Sequence, residues 1–188
     1  MRITGGQFRG RALVEPPDNR VRPTSDKVRQ AIFNILAHND FGFVLDGAKV
    51  LDLFAGTGAL GLEALSRGAA FTLFVDDSAE SRGLIRTNVE ALGQTGTTKI
   101  WRRDARDLGP LGAGAGGPFG LAFLDAPYRK DLTAPALASL RAGGWLAPEA
   151  LVIAETAEDE TLSAESYRVL DRRSYGETAV HILTLSSD

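Results

Sequence analysis

The chain has no cysteine in 188 residues, so it can hold no disulfide, no thiolate nucleophile and no metal site with thiolate ligands. It also has no apolar run approaching the roughly 18 residues that a membrane-spanning helix needs. Its first residues lack the apolar core of a signal peptide. These absences favour a cytoplasmic protein, and we expect a monomer with no metal and no membrane partner.

Charge is unevenly distributed along the chain, whose net charge is −3. Residues 1–30 contain seven basic and three acidic side chains, a net charge of +4, whereas the rest of the chain carries −7. We expect a basic N-terminal arm, residues 1–23, followed by one globular domain, residues 24–188. The arm suggests a surface that faces a polyanion, although a solvated charged terminus is the simpler alternative. The candidate contact residues in it are Arg9, Arg11 and Arg22.

Strand-like and helix-like segments alternate through the middle of the chain. Strands are expected at 49–54, 70–75, 98–101, 120–124 and 151–155, and helices at 59–67, 79–92 and 132–140. A helix capped by Thr24 or Ser25 precedes them. Strands separated by helices predict a doubly wound α/β fold with a mostly parallel sheet. Segments 167–173 and 178–185 add a C-terminal antiparallel hairpin, for seven strands in all. The glycine-rich stretch 109–120 is expected to be a flexible connector.

A glycine turn follows the first strand, in the sequence LDLFAGTGALG that spans residues 51–61. Gly56, Gly58 and Gly61 match the fingerprint of dinucleotide-binding folds, in which the backbone approaches the ligand closely. Asp76 lies 20 residues after Gly56, where a carboxylate accepts hydrogen bonds from both ribose hydroxyls. An NAD-dependent oxidoreductase is therefore one interpretation.

Asp52 favours a different ligand. A carboxylate at this strand end repels a pyrophosphate, but it suits the ammonium and sulfonium cations of S-adenosylmethionine. No partner for hydride transfer is evident, because His38 and His181 alternate with apolar neighbours and are expected to be structural. Asp104, just after the third strand, either accepts a hydrogen bond from the adenine amino group or pairs with the arginines around it. The candidate cofactor-binding residues are Asp52, Phe54, Gly56, Gly58, Asp76, Asp104 and Ala105.

The fourth strand ends in Asp125-Ala126-Pro127-Tyr128, at the edge of the sheet where ligands bind in this architecture. An exocyclic amine on a base is a weak nucleophile, because its lone pair is delocalised into the ring. Asp125 and the main-chain carbonyl of Ala126 are acceptors that can localise and orient that pair. Pro127 has no N–H donor, and Tyr128 offers a flat face for a flipped base. These four residues are the candidate catalytic site, although a plain turn can also use Asp and Pro.

With both motifs present, the chain resembles bacterial 16S rRNA guanine-N2 methyltransferases of the RsmD family over nearly its whole length. The matching motifs are GGQFRGR at 5–11, RPTSDKVR at 22–29, LDLFAGTGALGLEA at 51–64 and GGWL at 143–146. The family usually has Asp-Pro-Pro-Tyr or Asp-Pro-Pro-Phe where this chain has Ala126. Since the acceptor at that position is a backbone carbonyl, alanine also provides it, and we expect activity with a looser turn.

The resemblance implies a class I methyltransferase fold, Rossmann-like, with S-adenosylmethionine as cofactor. It implies methyl transfer to N2 of one guanine in 16S rRNA, within an assembling or assembled small ribosomal subunit. It also implies that Arg22-Pro23-Thr24 and the helix after it pack over the cofactor pocket, which makes Thr24 a further cofactor-binding candidate, and that the arm binds RNA. The Asp125–Tyr128 motif alone does not exclude two other targets of methylation, an adenine N6 amine or a protein glutamine amide, since each presents a planar NH2. The absence of a separate target-recognition domain disfavours a sequence-specific DNA enzyme.

Overall fold

The structure is a computed structural model that describes residues 1–17 and 24–187. Within these residues, seven strands form a single sheet: β1 (Lys49–Leu53), β2 (Phe71–Val75), β3 (Thr98–Trp101), β4 (Phe119–Leu124), β5 (Leu146–Ala157), β6 (Tyr167–Tyr175) and β7 (Thr178–Leu185). The helices are α1 (Asp26–Ala37), α2 (Ala59–Ser66), α3 (Ala79–Ala91) and α4 (Thr133–Ala142).

The strand order is β3-β2-β1-β4-β5-β7-β6. Strands β1 to β5 are parallel, and β7 runs antiparallel between β5 and β6. From β1 the chain builds outward through β2 and β3, then crosses to β4 on the other side of β1. In such a sheet the crevice at the carboxyl ends of β1 and β4 binds the ligand. The predicted doubly wound sheet with a C-terminal hairpin is confirmed.

Both faces of the sheet are covered, as expected for parallel strands. Along β4, Leu121 and Phe123 belong to one apolar cluster, whereas Ala122 and Leu124 belong to the other. This alternation follows from the two-residue period of a strand. The first cluster also buries Phe33 of α1, because α1 packs on that face. All of these side chains are buried, so the sheet is a rigid support for the residues at its edge.

The N-terminal segment, residues 1–17, is packed onto the domain. It buries Ile3, Phe8 and Leu13 in the first cluster. Its two limbs face each other, since Ile3 N–H donates to the carbonyl of Arg11 at 3.0 Å. The segment therefore folds back on itself, with its turn within residues 4–10, and is held against the body by apolar contacts rather than projecting from it. Arg22 lies outside the described residues.

Two local expectations were wrong. The stretch 109–120 is not a loose connector: the Trp145 indole N–H donates to the Gly109 carbonyl at 2.8 Å, and Ala115 is fully buried. Glycines here allow close packing against aromatic rings, since a Cβ at Gly116 would lie 2.6 Å from the Phe71 ring and one at Gly117 would lie 2.7 Å from the Phe119 ring. Strand β5 begins at Leu146, five residues before the predicted start, because its pairing with β4 shifts register after Phe119. That irregularity interrupts the alternation by which strands are recognised.

Candidate active site

A cavity of about 530 Å³ opens at the carboxyl ends of β1, β2, β4 and β5. This is the position that the strand order predicts for a ligand. Its walls include Thr24, Phe54, Gly56, Asp76, Asp125 and Glu155. Residues separated by more than a hundred positions thus meet around one space.

The glycine turn brings backbone to the cavity wall. Phe54, Gly56 and Gly58 have φ values of 53°, 60° and 82°, in the left-handed region that favours glycine. Gly58 is the N-cap of α2. A Cβ at Gly61 would lie 2.5 Å from the Phe74 ring, so glycine is required there for α2 to approach β2. The three glycines therefore serve the turn and the helix packing, as in other nucleotide-binding folds.

Asp76 lies in the cavity with its carboxylate held in place. The N–H groups of Gly56 and Ser78 each donate to it at 2.9 Å. Burial raises the pKa of Asp76 above its usual range, against the lowering effect of these two bonds. A carboxylate fixed by backbone donors and facing a cavity is well suited to accept hydrogen bonds from a ribose diol.

Asp52 is buried beneath the turn and does not line the cavity. Its Oδ2 accepts a hydrogen bond from the Gly61 N–H at 3.0 Å. Burial raises its pKa well above the usual range, and the nearby charges of Asp125 and Asp76 raise it further. Asp52 therefore supports the glycine turn from beneath through its bond to Gly61 and forms no part of the cavity wall.

The turn after β4 forms the opposite wall. The Thr24 hydroxyl is hydrogen bonded to Asp125 Oδ2. The Tyr128 hydroxyl lies 2.9 Å from Thr178 Oγ1, which anchors the ring at the start of β7. Ala126 is buried, whereas Pro127 is exposed at the rim. The four residues predicted for catalysis all line the cavity.

Glu155, near the end of β5, is a site residue that the sequence reasoning missed. It is 2% exposed and lines the cavity, and its Oε2 accepts a hydrogen bond from the Thr24 hydroxyl at 2.8 Å. The available signal was a carboxylate at the end of a strand of otherwise apolar residues, LVIAE. Glu155 reaches the cavity only because β5 lies beside β4, and the sequence did not reveal that pairing.

Other predicted residues lie apart from the cavity. The Asp104 carboxylate is bound by Arg106 at 2.7 Å, and this pairing lowers the pKa of Asp104. Ala105 is buried in the second apolar cluster. Arg9 and Arg11 are exposed on the N-terminal segment, and Arg11 Nη2 donates to the carbonyl of Ala91 at 2.7 Å.

Among residues 1–17 and 24–187, no three His, Asp or Glu side chains are grouped so that they could hold a metal ion. In the same part of the chain, no helix has the length and apolar character needed to cross a membrane.

The fold and the site together define a class I methyltransferase, with a glycine turn after β1, an acid after β2 and an Asp-Ala-Pro-Tyr turn after β4. The chain superimposes on Pyrococcus abyssi tRNA (uracil-54, C5)-methyltransferase, solved in complex with S-adenosyl-L-homocysteine, with a TM-score of 0.62 and 16% identity. The match covers 84% of this chain and 37% of that one.

Closer relatives identify the family. A family model described as Conserved hypothetical protein 95 matches residues 1–184. Ribosomal RNA small subunit methyltransferase D of Escherichia coli K12 is 42% identical over 163 residues, 86% of this chain and 77% of that protein. The structure of the Escherichia coli protein yhhF matches with a TM-score of 0.82 and 31% identity, covering 100% and 99% of the two chains. The chain belongs to this family, the RsmD family of 16S rRNA methyltransferases, and the resemblance read from its motifs is confirmed.

Proposed function

We propose that the chain transfers a methyl group from S-adenosylmethionine to the exocyclic N2 amine of a guanine in 16S rRNA of the small ribosomal subunit. The observation that carries the proposal is the position of Asp125, which faces the same cavity as the ribose-binding candidate Asp76. A methyl acceptor held at Asp125 is therefore adjacent to a cofactor held at Asp76. Relatives named as small subunit rRNA methyltransferases support the substrate class.

The acids that line the cavity suit the charge of the cofactor. S-adenosylmethionine supplies an electrophilic methyl group on a cationic sulfonium, and the acids around the cavity favour such a cation. Asp76 would hold the ribose, while Gly56 leaves room for the ligand beside the backbone. Beneath the turn, burial and the charges of Asp125 and Asp76 raise the pKa of Asp52, and a cation bound in the cavity would oppose that shift.

The residues after β4 can activate an amine without a metal. Asp125 and the Ala126 carbonyl accept hydrogen bonds from the NH2 group and so orient its lone pair toward the methyl group. Tyr128, anchored through Thr178, offers its ring to the base. Because the leaving group is a neutral thioether, holding the two reactants in line accounts for much of the rate. The proton lost from the amine can pass to the Asp125 carboxylate or to water.

The N-terminal segment would supply the contact with RNA. Arg9 and Arg11 are exposed on a segment that is itself fixed to the body of the protein. We propose residues 1–23 as the RNA-contacting part and residues 24–188 as the methyltransferase domain. A basic patch restricted to one segment lets an acidic protein meet rRNA in one orientation.

Methylation of purified small subunits tests the proposal. Subunits are incubated with the chain and S-adenosylmethionine carrying a labelled methyl group, and the rRNA is then digested to nucleosides for mass spectrometry. We expect N2-methylguanosine to be the labelled nucleoside, and a loss of label with Asp125→Asn. Labelled N6-methyladenosine, or label found only in protein, would contradict the proposed acceptor. Free 16S rRNA and assembly intermediates, run in parallel, would define the required state of the substrate.

A further inference from the structure

Glu155 and Asp125 stand side by side at the carboxyl edge of the sheet. Leu124 of β4 is in register with Ala154 of β5, so the next residue on each strand is one of the two acids. Adjacent strands lie about 4.8 Å apart, which brings the two side chains to one part of the cavity wall.

A single hydroxyl connects the two carboxylates. Thr24 Oγ1 is hydrogen bonded to Asp125 Oδ2 and lies 2.8 Å from Glu155 Oε2. Two oxygens that contact the same atom are at most about 6 Å apart. A hydroxyl has only one hydrogen to donate, so it cannot donate to both acids at once. Two carboxylate acceptors, one from Asp125 and one from Glu155, therefore converge on the position of the Thr24 hydroxyl.

Guanine presents the complementary pattern. Its N2 amine and its N1–H are neighbouring donors on one edge, whereas adenine presents its amine beside an N1 that has no hydrogen. A glutamine amide has no second donor in the corresponding position. A pair of carboxylates therefore favours guanine over both alternatives. With adenine, one carboxylate would be desolvated and face the unprotonated N1, and with a glutamine amide it would have no donor to bind.

We propose that Glu155 is the residue that selects guanine, by accepting a hydrogen bond from N1–H while Asp125 accepts one from the N2 amine. The base takes over the position of the Thr24 hydroxyl as it enters. The inference rests on the proposed function and extends it, because it assigns base selection to a residue outside the Asp125–Tyr128 turn.

The first test changes the base. Small subunits are assembled with 16S rRNA carrying 2-aminopurine at the nucleotide that the wild-type protein methylates. This base keeps the N2 amine but has no N1–H. We expect kcat/KM to fall by about 5–150-fold, the usual range for one wrong base edge. Since 2-aminopurine also lacks O6, 6-thioguanine is the matched control: it keeps N1–H and should be methylated well.

Equal use of guanine and 2-aminopurine would overturn the role of Glu155 while leaving N2 methylation intact. An equal loss with 6-thioguanine would also overturn it, since O6 would then be the group recognised. Failure of the wild-type protein to methylate the guanine substrate would instead contradict the proposed function. These measurements need no variant, so they do not depend on the folding of a mutant.

The second test changes the protein. Glu155→Gln should lower kcat/KM for guanine and reduce the preference for guanine over 2-aminopurine, because the amide N–H can donate to the unprotonated N1. A purely structural residue would lower both values by one factor and leave the preference unchanged, which would overturn the proposal. Glu158→Gln is the matched control, since the Glu158 side chain is 42% exposed and accepts a hydrogen bond from the Ser174 hydroxyl at 2.6 Å, outside the cavity. It should keep the wild-type preference.

Discussion

At the scale of single residues, the site depends on carboxylates that the backbone holds in place. Asp76 accepts hydrogen bonds from two backbone N–H groups and Asp52 accepts one. Both side chains are therefore already ordered before a ligand binds. Pre-ordered acceptors of this kind strengthen binding because less conformational entropy is lost. Substitutions at these positions should therefore change binding or turnover more than they change the fold.

Asp76→Ala should weaken binding of S-adenosylhomocysteine by about 1.5–3 kcal/mol, the range for hydrogen bonds to a charged group. Binding weakens because the ribose hydroxyls would lose the carboxylate that accepts their hydrogen bonds. Titration calorimetry measures the affinity directly, and Asp107→Ala, an exposed acid after β3, is the control. Unchanged affinity would remove Asp76 from the site and make its neighbour Asp77, which also lines the cavity, the next candidate.

Asp125→Asn should lower kcat by about 10²–10³, as for other groups that interact mainly with the transition state. The amide keeps the shape but replaces part of the acceptor with a donor. Single-turnover methylation of small subunits gives the rate, and affinity for S-adenosylhomocysteine serves as the control because Asp76 and the glycine turn remain. A fully active variant would contradict the mechanism.

Tyr128→Phe should be mild and Tyr128→Ala severe, because stacking of a base needs only the ring. The phenylalanine variant loses the hydrogen bond to Thr178, worth about 1 kcal/mol, or roughly a fivefold change in rate. The same single-turnover assay applies to both variants. Equal losses would show that the hydroxyl, rather than the ring, is what the reaction requires.

At the scale of elements, the N-terminal segment is attached through a buried charged group. Glu63 of α2 accepts hydrogen bonds from the N–H groups of Thr4 and Gly5, both at 2.9 Å, and from Arg29 and Arg67. Burial raises the pKa of Glu63, but these bonds outweigh burial and leave the pKa below its usual value. One side chain thus joins the segment, α1 and α2.

Glu63→Ala should lower the free energy of unfolding by about 3–5 kcal/mol, the cost of removing one partner from a buried ion pair. The reason is that the Arg29 guanidinium, with 0% of its side chain exposed, would stay in the interior without that carboxylate. Urea denaturation measures the change. Asp159→Ala is the control, since its bridge to Arg129 is 71% and 62% exposed and should contribute no more than about 1 kcal/mol. Similar effects for the two variants would refute the assigned role of Glu63.

Replacing Arg9 and Arg11 with alanine should reduce rRNA methylation and flatten its dependence on salt, because fewer counterions are released on binding. Affinity for S-adenosylhomocysteine should not change. Initial rates over a salt series test both statements, with Arg141 and Arg168, exposed on α4 and β6, replaced together as the control. Wild-type rates across the whole series would mean that these two arginines do not contact the RNA.

At the scale of the whole molecule, the cavity concentrates negative charge over a buried acid. Asp52 has a raised pKa in the folded protein, so between its ordinary value near 3.8 and the raised value the fold retains a proton that the unfolded chain has released. By linkage, this group makes the folded state less stable as pH rises through that interval. Burial of Asp52 thus lowers the stability of the fold at every pH above the ordinary pKa of this group.

Asp52→Asn should therefore increase the free energy of unfolding relative to wild type more at about pH 8 than at about pH 4. Asparagine does not titrate, yet it can still accept the hydrogen bond from Gly61 N–H. Urea denaturation of both proteins at the two pH values gives the difference, and Asp107→Asn at the surface is the control. A difference that does not grow with pH would show that Asp52 is not the buried acid described.

Much of the fold could be predicted because its elements are marked locally. Buried parallel strands are short apolar runs, and in the helices between them apolar residues recur every three to four positions. The start of β5 could not be found, since its pairing with β4 is irregular around residues 147–150. The packing of the stretch 109–120 depends on Trp145, which is far along the chain and contacts it only in the folded state.

The sequence by itself determined the succession of strands and helices along the chain. It also determined the glycine turn and the positions of Asp76 and Asp125, because these three features each follow directly after a strand. Only the tertiary structure placed Glu155 in the site. Thr24 is 101 residues from Asp125 and 131 residues from Glu155, yet its hydroxyl oxygen lies within hydrogen-bonding distance of a carboxylate oxygen of each. Such a meeting depends on which strands become neighbours and on how α1 packs over them. Those outcomes follow from the burial of two apolar faces across the whole chain, which no local pattern records.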